Sequence, residues 1–343
     1  MDKAWEEWRR GEYPGHHLWG ITHLPGHGID VDILPFERYP ILNKIGQGYR
    51  LGNYLDQQIR AYLRSPKYDL VYSACQDNTL FLSILREMGV FRKPIVSIIH
   101  HPIEIKKRNK IYVKGHDRLL CLSKSVLRDL EDKFNLSRTK ICSIDWGVDL
   151  SFYDREKNST PAESESSFIL SAGKSSRDHD TLAKAFVKIG YPLKIYCSAR
   201  SAPSISGLPS NITVQYDHPV FNAISYLELL AEYRKAFAIA IPLIGTDSLA
   251  GLTSLLDAMA MQRAVIMTTN HRINLDIEKE GVGICVAPGD VSGWQRAVNY
   301  LLAHPEEANA MGRRGYHLCK TKYNLEVFSS TLACIFKSLQ SSL

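Results

Sequence analysis

Short, mostly apolar runs alternate with longer amphipathic stretches through most of the chain, and this alternation constrains the fold more than any other feature. Residues 94–99 and 237–241 are typical apolar runs: each has the length of a strand, and neither alternates apolar with polar side chains. Strands buried on both faces have this pattern, and they occur in parallel sheets that helices cover on both sides. We therefore predict an α/β fold with parallel sheets.

The strand–helix pattern occurs twice, which predicts two domains in a chain of 343 residues. Residues 154–167 are rich in Ser and Glu and lack apolar periodicity, as linkers do. We predict Rossmann-like, doubly wound domains at residues 1–154 and 168–324, joined by a linker at residues 155–167. Residues 325–343 begin with apolar side chains at helical spacing, so we expect an amphipathic helix that packs back on the first domain.

The expected strands of the first domain are the apolar runs between turn signals. These runs lie at residues 31–35, 68–73, 94–99, 118–122 and 141–144. Ligands of doubly wound folds bind outside the carboxyl ends of the strands, so functional residues are expected where a strand passes into a helix.

The first such junction is Ser171-Ala-Gly-Lys-Ser-Ser-Arg177, after the predicted strand at residues 168–172. Gly173 lets the backbone turn, and Lys174 and Arg177 place two cations beside a helix N-terminus, which suits a phosphate or diphosphate. The alternative is a solvated basic turn in which Asp178 or Asp180 caps the helix, and for these two acids the cap is the favoured interpretation.

The second junction runs from Gly251 into a predicted helix. Gly251, Thr253 and Ser254 are expected to offer backbone and hydroxyl donors to phosphate oxygens. Asp257 lies one turn further along, where a carboxylate can accept hydrogen bonds from a ribose diol. An ordinary first-turn acid, favoured by the helix dipole, explains Asp257 equally well.

These junctions resemble those of the retaining GT-B glycosyltransferases of glycosyltransferase family 4. The segment Asp257-Ala-Met-Ala, followed by a turn and an apolar strand, is similar to the Glu-Ala-Met-Ala signature of that family. Residues 145–152 resemble its Asn-Gly-Val-Asp segment, and residues 283–290 its Pro-Gly-Asp turn. The motifs occur in the family's order along nearly the whole chain. The resemblance implies the GT-B architecture, with two Rossmann-like domains facing each other across a cleft.

The resemblance also implies the activity. It is that of a hexosyltransferase that uses a nucleotide-diphosphate sugar, with UDP or GDP, retains the anomeric configuration and acts on a glycan, a lipid or a small molecule. The implied donor-binding residues are Gly173, Lys174, Arg177, Gly251, Leu252, Thr253, Ser254 and Asp257. We expect no metal and no tightly bound cofactor, because the cations and the helix dipole stabilise the leaving diphosphate.

Two histidine pairs are candidates for the remaining chemistry. His100 and His101 end the strand at residues 94–99, where the family places a histidine facing the donor sugar, so one of them is the expected catalytic residue. A strand end before a proline is the structural alternative. In the loop at residues 11–20, Gly15, His16 and His17 are the candidate acceptor-binding residues, and a structural turn explains either histidine equally well.

The chain departs from the family pattern at two places. Leu249 occupies the position of the family's first acid, and the usual first strand before the loop at residues 11–20 is missing. These departures motivate an alternative function, a non-catalytic GT-B scaffold that binds a nucleotide sugar or a lipid. An epimerase on the same architecture is a third hypothesis, but no facing acid–base pair supports it.

Positive charge is concentrated between residues 92 and 118, where eight cations face two acids, and apolar residues are interleaved with them. The cations expected to contact an anionic membrane or lipid acceptor are Lys106, Lys107, Arg108, Lys110 and Lys114. A solvated loop is the alternative, and nucleic acid is less favoured because no recognition motif is present.

Cysteine usage bears on the compartment. The seven cysteines are odd in number and form no C-x-x-C pair, which indicates reduced thiols. No run approaches the ~18 apolar residues of a membrane span. We expect a cytoplasmic protein, with peripheral attachment to the inner face of the membrane left open.

Overall fold

The computed structural model describes residues 2–158, 168–217 and 224–340. Within these residues the chain divides into two compact units. The first comprises residues 2–9, 15–146 and 325–340, and the second comprises residues 10–14 and the described part of residues 147–324. Each unit contains one parallel sheet.

The first unit has a four-stranded sheet in the order β1-β2-β3-β4. The strands are β1 (Val71–Ser73), β2 (Ile95–Ile99), β3 (Arg118–Cys121) and β4 (Ile141–Ser143). All three pairings are parallel, and Ser97 of β2 lies between Ser73 and Leu119 of its neighbours. These strands lie within the apolar runs from which they were predicted.

The fifth predicted strand, at residues 31–35, is wrong, because the backbone there is irregular. Side chains take the place of a neighbouring strand: the Arg60 guanidinium donates to the carbonyl oxygens of Pro35 (2.8 Å) and Phe36 (3.2 Å). An apolar run becomes a strand only where a ladder partner is available.

Six helices flank this sheet in chain order. They are α1 (Asp2–Arg9), α2 (Pro40–Gly48), α3 (Leu55–Arg64), α4 (Leu80–Glu87), α5 (Lys107–Gly115) and α6 (Lys124–Phe134). Helix α6 shows why these segments fold: the Ser123 hydroxyl caps it by accepting from Val126 N (3.1 Å), and Val126, Leu127 and Leu130 are buried. Helix α5 contains the predicted basic segment, which is therefore a helix and not a loop.

The second unit has a six-stranded sheet in the order β10-β9-β8-β5-β6-β7, and all its pairings are parallel. The strands are β5 (Ile169–Gly173), β6 (Leu193–Ser198), β7 (Ile212–Asp217), β8 (Ala238–Ile241), β9 (Ala264–Thr268) and β10 (Gly283–Val286). The chain winds outward from β5 through β6 and β7, then returns to the other side of β5 with β8. The strand order therefore reverses between β5 and β8, which is where doubly wound folds bind ligands.

The helices of the second unit cover both faces of its sheet. They are α7 (Leu150–Asn158), α8 (His179–Ile189), α9 (Tyr226–Lys235), α10 (Leu252–Ala260), α11 (Val291–Ala303) and α12 (Pro305–Thr321). Helix α7 contacts α9, so residues 147–158 belong to the second unit, whereas the sequence analysis placed the boundary after residue 154. The rest of the predicted linker, residues 159–167, lies outside the described residues.

The last helix, α13 (Leu325–Gln340), belongs to the first unit. It lies so close to Gly20 that a Cβ there would come within 2.8 Å of the Leu332 side chain. The Phe336 ring lies 5.2 Å from that of Tyr72. Among the helices of the described residues, none combines the length and the apolar character that a bilayer crossing requires.

Candidate functional site

The loops that follow β5 and β8 are joined by backbone hydrogen bonds at the point where the strand order reverses. Asp178 N donates to Pro242 O (3.2 Å), and Ile244 N donates to Ser176 O (3.2 Å). Arg177 and Leu243 form the bridge between these two bonds. The two junctions singled out in the sequence, one ending at Arg177 and the other leading into α10, therefore meet at the carboxyl edge of the second sheet.

Arg177 is the central residue of this edge. Its guanidinium is buried, with 7% of the residue exposed, and donates to Ser254 Oγ (2.9 Å), Ser175 O (3.0 Å) and Ala172 O (3.4 Å). Its Nε is buried without a hydrogen-bond partner in the described part of the chain. Burial lowers the pKa of the guanidinium, but an arginine side chain stays charged in proteins.

No carboxylate of the described residues lies within ion-pair distance of Arg177. A buried cation without a counter-charge is costly, and such groups are characteristic of anion sites. Gly173 makes the position available, because a Cβ there would overlap the Arg177 guanidinium. The predicted role of Gly173 as a turn residue therefore has a more specific cause, the close approach of this side chain.

Helix α10 begins at the same edge. Its N-cap, Gly251, has φ 89°, and a Cβ there would come within 2.7 Å of Met267 Cε. Leu252 N donates to Leu249 O (3.2 Å), whereas Thr253 N and Ser254 N belong to a first turn whose amides have no carbonyl partner within the helix. These amides and the helix dipole favour an anion at this end of α10.

The Ser254 hydroxyl does not have the predicted role of a free donor to phosphate. It is buried, donates to Ala172 O (3.1 Å) and accepts from Arg177. Ser254 thus holds the arginine in place, and only its backbone amide remains for a ligand. Sequence spacing cannot distinguish these roles, because the two residues are 77 positions apart.

The turn between β5 and α8 carries the remaining predicted groups. Lys174 is exposed there, and its carbonyl oxygen accepts from Ser198 Oγ (2.8 Å). Ser176 has φ 55°, a left-handed conformation that is costly for a residue with a Cβ. Asp178 is the N-cap of α8 and accepts from Thr181 N (3.1 Å), so the capping interpretation is confirmed.

Asp257 lies in a buried cluster with two tyrosines. It is 4% exposed, and its Oδ1 accepts from the hydroxyls of Tyr153 (2.5 Å) and Tyr226 (3.2 Å), which lie 2.6 Å apart. Burial raises the pKa of Asp257 to about 7, against the opposing effect of the tyrosine hydrogen bonds. Neither interpretation left open by the sequence, an exposed ribose ligand or a solvated first-turn acid, describes this environment.

The tyrosine cluster links three helices of the second unit. Tyr153 comes from α7, Tyr226 from α9 and Asp257 from α10. Tyr13 adds a fourth segment, because its ring lies 5.0 Å from that of Tyr226. The sequence analysis missed all three tyrosines, and no spacing in the chain connects them.

In the first unit, aromatic rings gather at the carboxyl edge of the sheet. Trp146 follows β4, and its Nε1 donates to the carbonyl oxygen of His16 (3.2 Å). The rings of His16 and His17 lie 4.2 Å apart in the 3₁₀ helix Gly15–Leu18. Burial lowers the pKa of His16 well below its ordinary value and that of His17 to about 4, so both rings are neutral near pH 7.

His100 and His101 have different environments. The His100 ring lies edge-on to Trp19 at 4.7 Å, and its Nε2 donates to Ala74 O (2.7 Å), whereas His101 is exposed. Gln76 Oε1 accepts from the backbone amides of both, at 2.8 and 3.0 Å. The bond to Ala74 holds the His100 ring with its hydrogen on Nε2, which makes Nδ1 the acceptor nitrogen of the neutral ring.

Trp19 and Trp146 were not singled out in the sequence. Their rings stack at 5.0 Å and 16°, and Trp19 has φ 55°. Among the described residues no group of three or more His, Cys, Asp or Glu side chains is arranged to hold a metal ion.

The basic segment presents charge but little apolar surface. The five cations from Lys106 to Lys114 are exposed, and Lys114 pairs with Glu87 at 2.6 Å. Tyr112 and Val113, which are interleaved with them in the sequence, face the core of the first unit. The predicted mixture of charged and apolar surface is therefore wrong for most of α5.

Comparison with known proteins connects these features with one enzyme class. Residues 11–152 match the family model of Glycosyltransferase Family 4. A glycosyltransferase from Rickettsia africae has a similar structure, with a TM-score of 0.67 at 15% identity over 94% of this chain and 88% of that one. Anabaena HepE, solved in complex with UDP, gives 0.66 at 12% identity over 92% and 88% of the two chains.

WaaG, a glycosyltransferase involved in lipopolysaccharide biosynthesis, gives a TM-score of 0.60 at 13% identity over 94% of this chain and 95% of that one. No curated protein matches the sequence significantly. The structural likenesses confirm the predicted GT-B fold. The family match over residues 11–152 confirms the predicted resemblance to family 4 glycosyltransferases.

Proposed function

We propose that this chain, a GT-B protein whose residues 11–152 match Glycosyltransferase Family 4, transfers a hexosyl unit from a nucleotide-diphosphate sugar, with UDP or GDP, to an acceptor hydroxyl and retains the anomeric configuration. The observation that carries the proposal is Arg177, a buried cation without a carboxylate partner in the described residues, beside the amino end of α10. An anion at this edge supplies the missing counter-charge.

The anion is the donor diphosphate in this proposal. The amides of Thr253 and Ser254 and the α10 dipole meet one end of it, and the exposed Lys174 contributes a flexible cation. Arg177 fixes the positive potential beneath the site. Because these groups are held in place before the ligand arrives, they stabilise the charge that develops on the leaving diphosphate without reorganising. The UDP bound by HepE, which has the same fold, supports this placement.

A direct contact between Asp257 and the ribose is not part of the proposal. The carboxyl group is buried and already accepts from Tyr153 and Tyr226. Its position supports a different role, as a positioning residue that ties α10 to α7 and α9. The amides at the amino end of α10 depend on that attachment for their direction.

In the proposed reaction the acceptor oxygen forms a bond to the anomeric carbon, and the bond from that carbon to the diphosphate oxygen breaks. The departing phosphate oxygen takes the acceptor proton on the same face of the sugar, which retains the configuration. No catalytic carboxylate pair is needed for this route. From the first unit, His100 is the proposed catalytic residue, with Nδ1 accepting a hydrogen bond from a sugar hydroxyl, since Ala74 holds its ring. His101 is exposed and has no role in this scheme.

The acceptor in this proposal is a glycan, a lipid or a small molecule, and Gly15, His16 and His17 are its proposed binding residues. The two histidines are neutral near pH 7. They suit a neutral hydroxyl-bearing acceptor better than an anion. For a phosphorylated lipid acceptor, the exposed cations of α5 contribute roughly 1 kcal/mol each near an anionic surface.

Nucleotide binding and turnover test the donor site. We expect Lys174→Ala to weaken UDP or GDP binding by at least about tenfold in calorimetry and to lower turnover of the matching sugar nucleotide, since a hydrogen bond to a charged group is lost. Lys184→Ala, which removes an exposed lysine from α8, is the matched control. Equal affinity for the two variants and the native protein would remove the diphosphate assignment.

The non-catalytic scaffold remains the second candidate function. Two observations favour it: Leu249 stands where an acid is expected, and Asp257 is buried. The same experiments separate the two functions. Nucleotide binding without turnover of any UDP- or GDP-hexose, across a panel of glycan and lipid acceptors, would establish the scaffold.

A further inference from the structure

Helix α2 exposes its large apolar residues. Ile41, Ile45 and Tyr49 follow one another at intervals of four residues and so lie along one side of the helix. They are 68%, 41% and 78% exposed, and Phe36 and Tyr39 just before the helix are also exposed. We call these five residues the α2 stripe. Exposed apolar side chains gathered in this way are characteristic of interaction surfaces.

The opposite side of α2 explains why the stripe faces outward. The buried residues of the helix are Asn43 and Gly46. Asn43 Oδ1 accepts from Asp56 N (3.0 Å), and a Cβ on Gly46 would come within 2.7 Å of Leu55 Cβ. Helix α2 is thus fixed against α3 by a polar side chain and a glycine. This is the reverse of an ordinary surface helix, which buries its large apolar residues.

The charges around the stripe are positive. Arg38, Lys44 and Arg50 are exposed, and none of them has an ion-pair partner among the described residues. The one acid of this segment, Glu37, accepts from Asn43 Nδ2 (2.6 Å). An apolar stripe flanked by unpaired cations is the pattern of helices that lie in the surface of an anionic bilayer, with aromatic rings at the level of the headgroups.

We propose that the α2 stripe docks on the surface of an anionic lipid bilayer, with Ile41, Ile45 and Tyr49 among the acyl chains and the three cations against the headgroups. A second copy of the chain is disfavoured, because a two-fold interface would place Arg38, Lys44 and Arg50 opposite the same cations. The stripe is a different surface from α5, whose cations are exposed while Tyr112 and Val113 are buried.

The proposal does not rest on the donor site. The stripe belongs to the first unit, whereas Lys174 and Arg177 belong to the second. Loss of lipid binding with unchanged UDP or GDP affinity and unchanged turnover of a soluble acceptor would therefore be the expected behaviour of a stripe variant. Failure of the glycosyltransferase proposal would appear in the nucleotide experiments alone.

Co-flotation of the full chain with phospholipid vesicles tests the proposal. The probes are vesicles of phosphatidylcholine alone and vesicles that also contain phosphatidylglycerol. We expect binding to the anionic vesicles and at least tenfold weaker binding of the Ile41→Ser, Ile45→Ser, Tyr49→Ser variant. Val187→Ser, Tyr216→Ser, Tyr300→Ser removes comparably exposed residues from the second unit and is expected to bind like the native protein.

A charge variant completes the experiment. Arg38→Gln, Lys44→Gln, Arg50→Gln is expected to lose at least tenfold in binding to the anionic vesicles, and added salt is expected to weaken the native protein in the same direction. Three results would overturn the proposal: no binding of the native protein to anionic vesicles, undiminished binding of the serine variant, or a dimer in light scattering that the serine variant abolishes. Circular dichroism of each variant establishes that it is folded.

Discussion

The Arg177 guanidinium donates a 2.9 Å hydrogen bond to Ser254 Oγ and so connects the turn after β5 with the first turn of α10. Ser254 Oγ in turn donates to Ala172 O at the end of β5. The cation is therefore oriented by a hydroxyl that is itself held by the sheet. An anion at the amino end of α10 meets a group whose position is set before binding.

Replacing Ser254 with Ala is expected to weaken both folding and nucleotide binding. The change leaves a buried cation without one of its acceptors, which costs about 1–3 kcal/mol. Urea denaturation measures the loss in the free energy of unfolding, and calorimetry with UDP or GDP measures the loss of affinity. Thr253→Ala, at the neighbouring and less buried position, is the control and is expected to change the unfolding free energy by less than about 0.5 kcal/mol.

The burial of Asp257 predicts an unusual dependence of stability on pH. Its pKa is about 7 in the folded protein, whereas that of an unfolded chain is about 3.9. Between these values the folded state holds a proton that the unfolded state has lost, so the contribution of Asp257 to stability falls as the pH rises from about 4 to about 7 and is constant above that. Most paired carboxylates, whose pKa values are lowered, have the opposite slope.

Asp257→Asn tests this slope. The amide is neutral throughout and can still accept from Tyr153 and Tyr226. We expect the unfolding free energy of the native protein to fall, relative to that of the variant, by roughly 2–3 kcal/mol between about pH 5 and pH 8. Asp247→Asn, at an exposed acid, is the control and is expected to follow the native curve. Parallel curves for the native protein and Asp257→Asn would contradict the assigned environment.

Gln262 predicts a stabilising substitution. It has φ 57° in the turn after α10, where the resembling family has the glycine of its Gly-Lys-Pro turn. A residue with a Cβ pays about 1–2 kcal/mol in this conformation, and the greater freedom of glycine in the unfolded chain offsets part of the gain. We expect Gln262→Gly to raise the unfolding free energy by about 0.5–1 kcal/mol in thermal or urea denaturation.

Asn135 provides the comparison for Gln262. It also has a positive φ, 50°, at the end of α6, but asparagine tolerates the left-handed region better than glutamine. Asn135→Gly is therefore expected to gain less than Gln262→Gly. An equal or larger gain at Asn135 would show that backbone strain is not the cause.

Most of the strands could be predicted because burial on both faces leaves a direct mark on a sequence. Runs such as those of β2 and β8 have no polar alternation, and the turns that follow them contain the glycines and cations that phosphate recognition needs. The run at residues 31–35 has a similar composition but no strand beside it. Composition alone could not reveal that Arg60 takes up the carbonyl oxygens there.

The sequence by itself determined the twofold α/β pattern, the resemblance to family 4 glycosyltransferases and the position of Arg177 at a strand-to-helix junction, because each depends on residues near one another in the chain. Only the tertiary structure decided which side chains face inward. It buried Asp257 among tyrosines from other helices, turned His100 onto Ala74 and left the α2 stripe in solvent. The physical reason is that burial depends on elements far apart in sequence, and a helix held by Asn43 and Gly46 exposes residues that its pattern alone would place in the core.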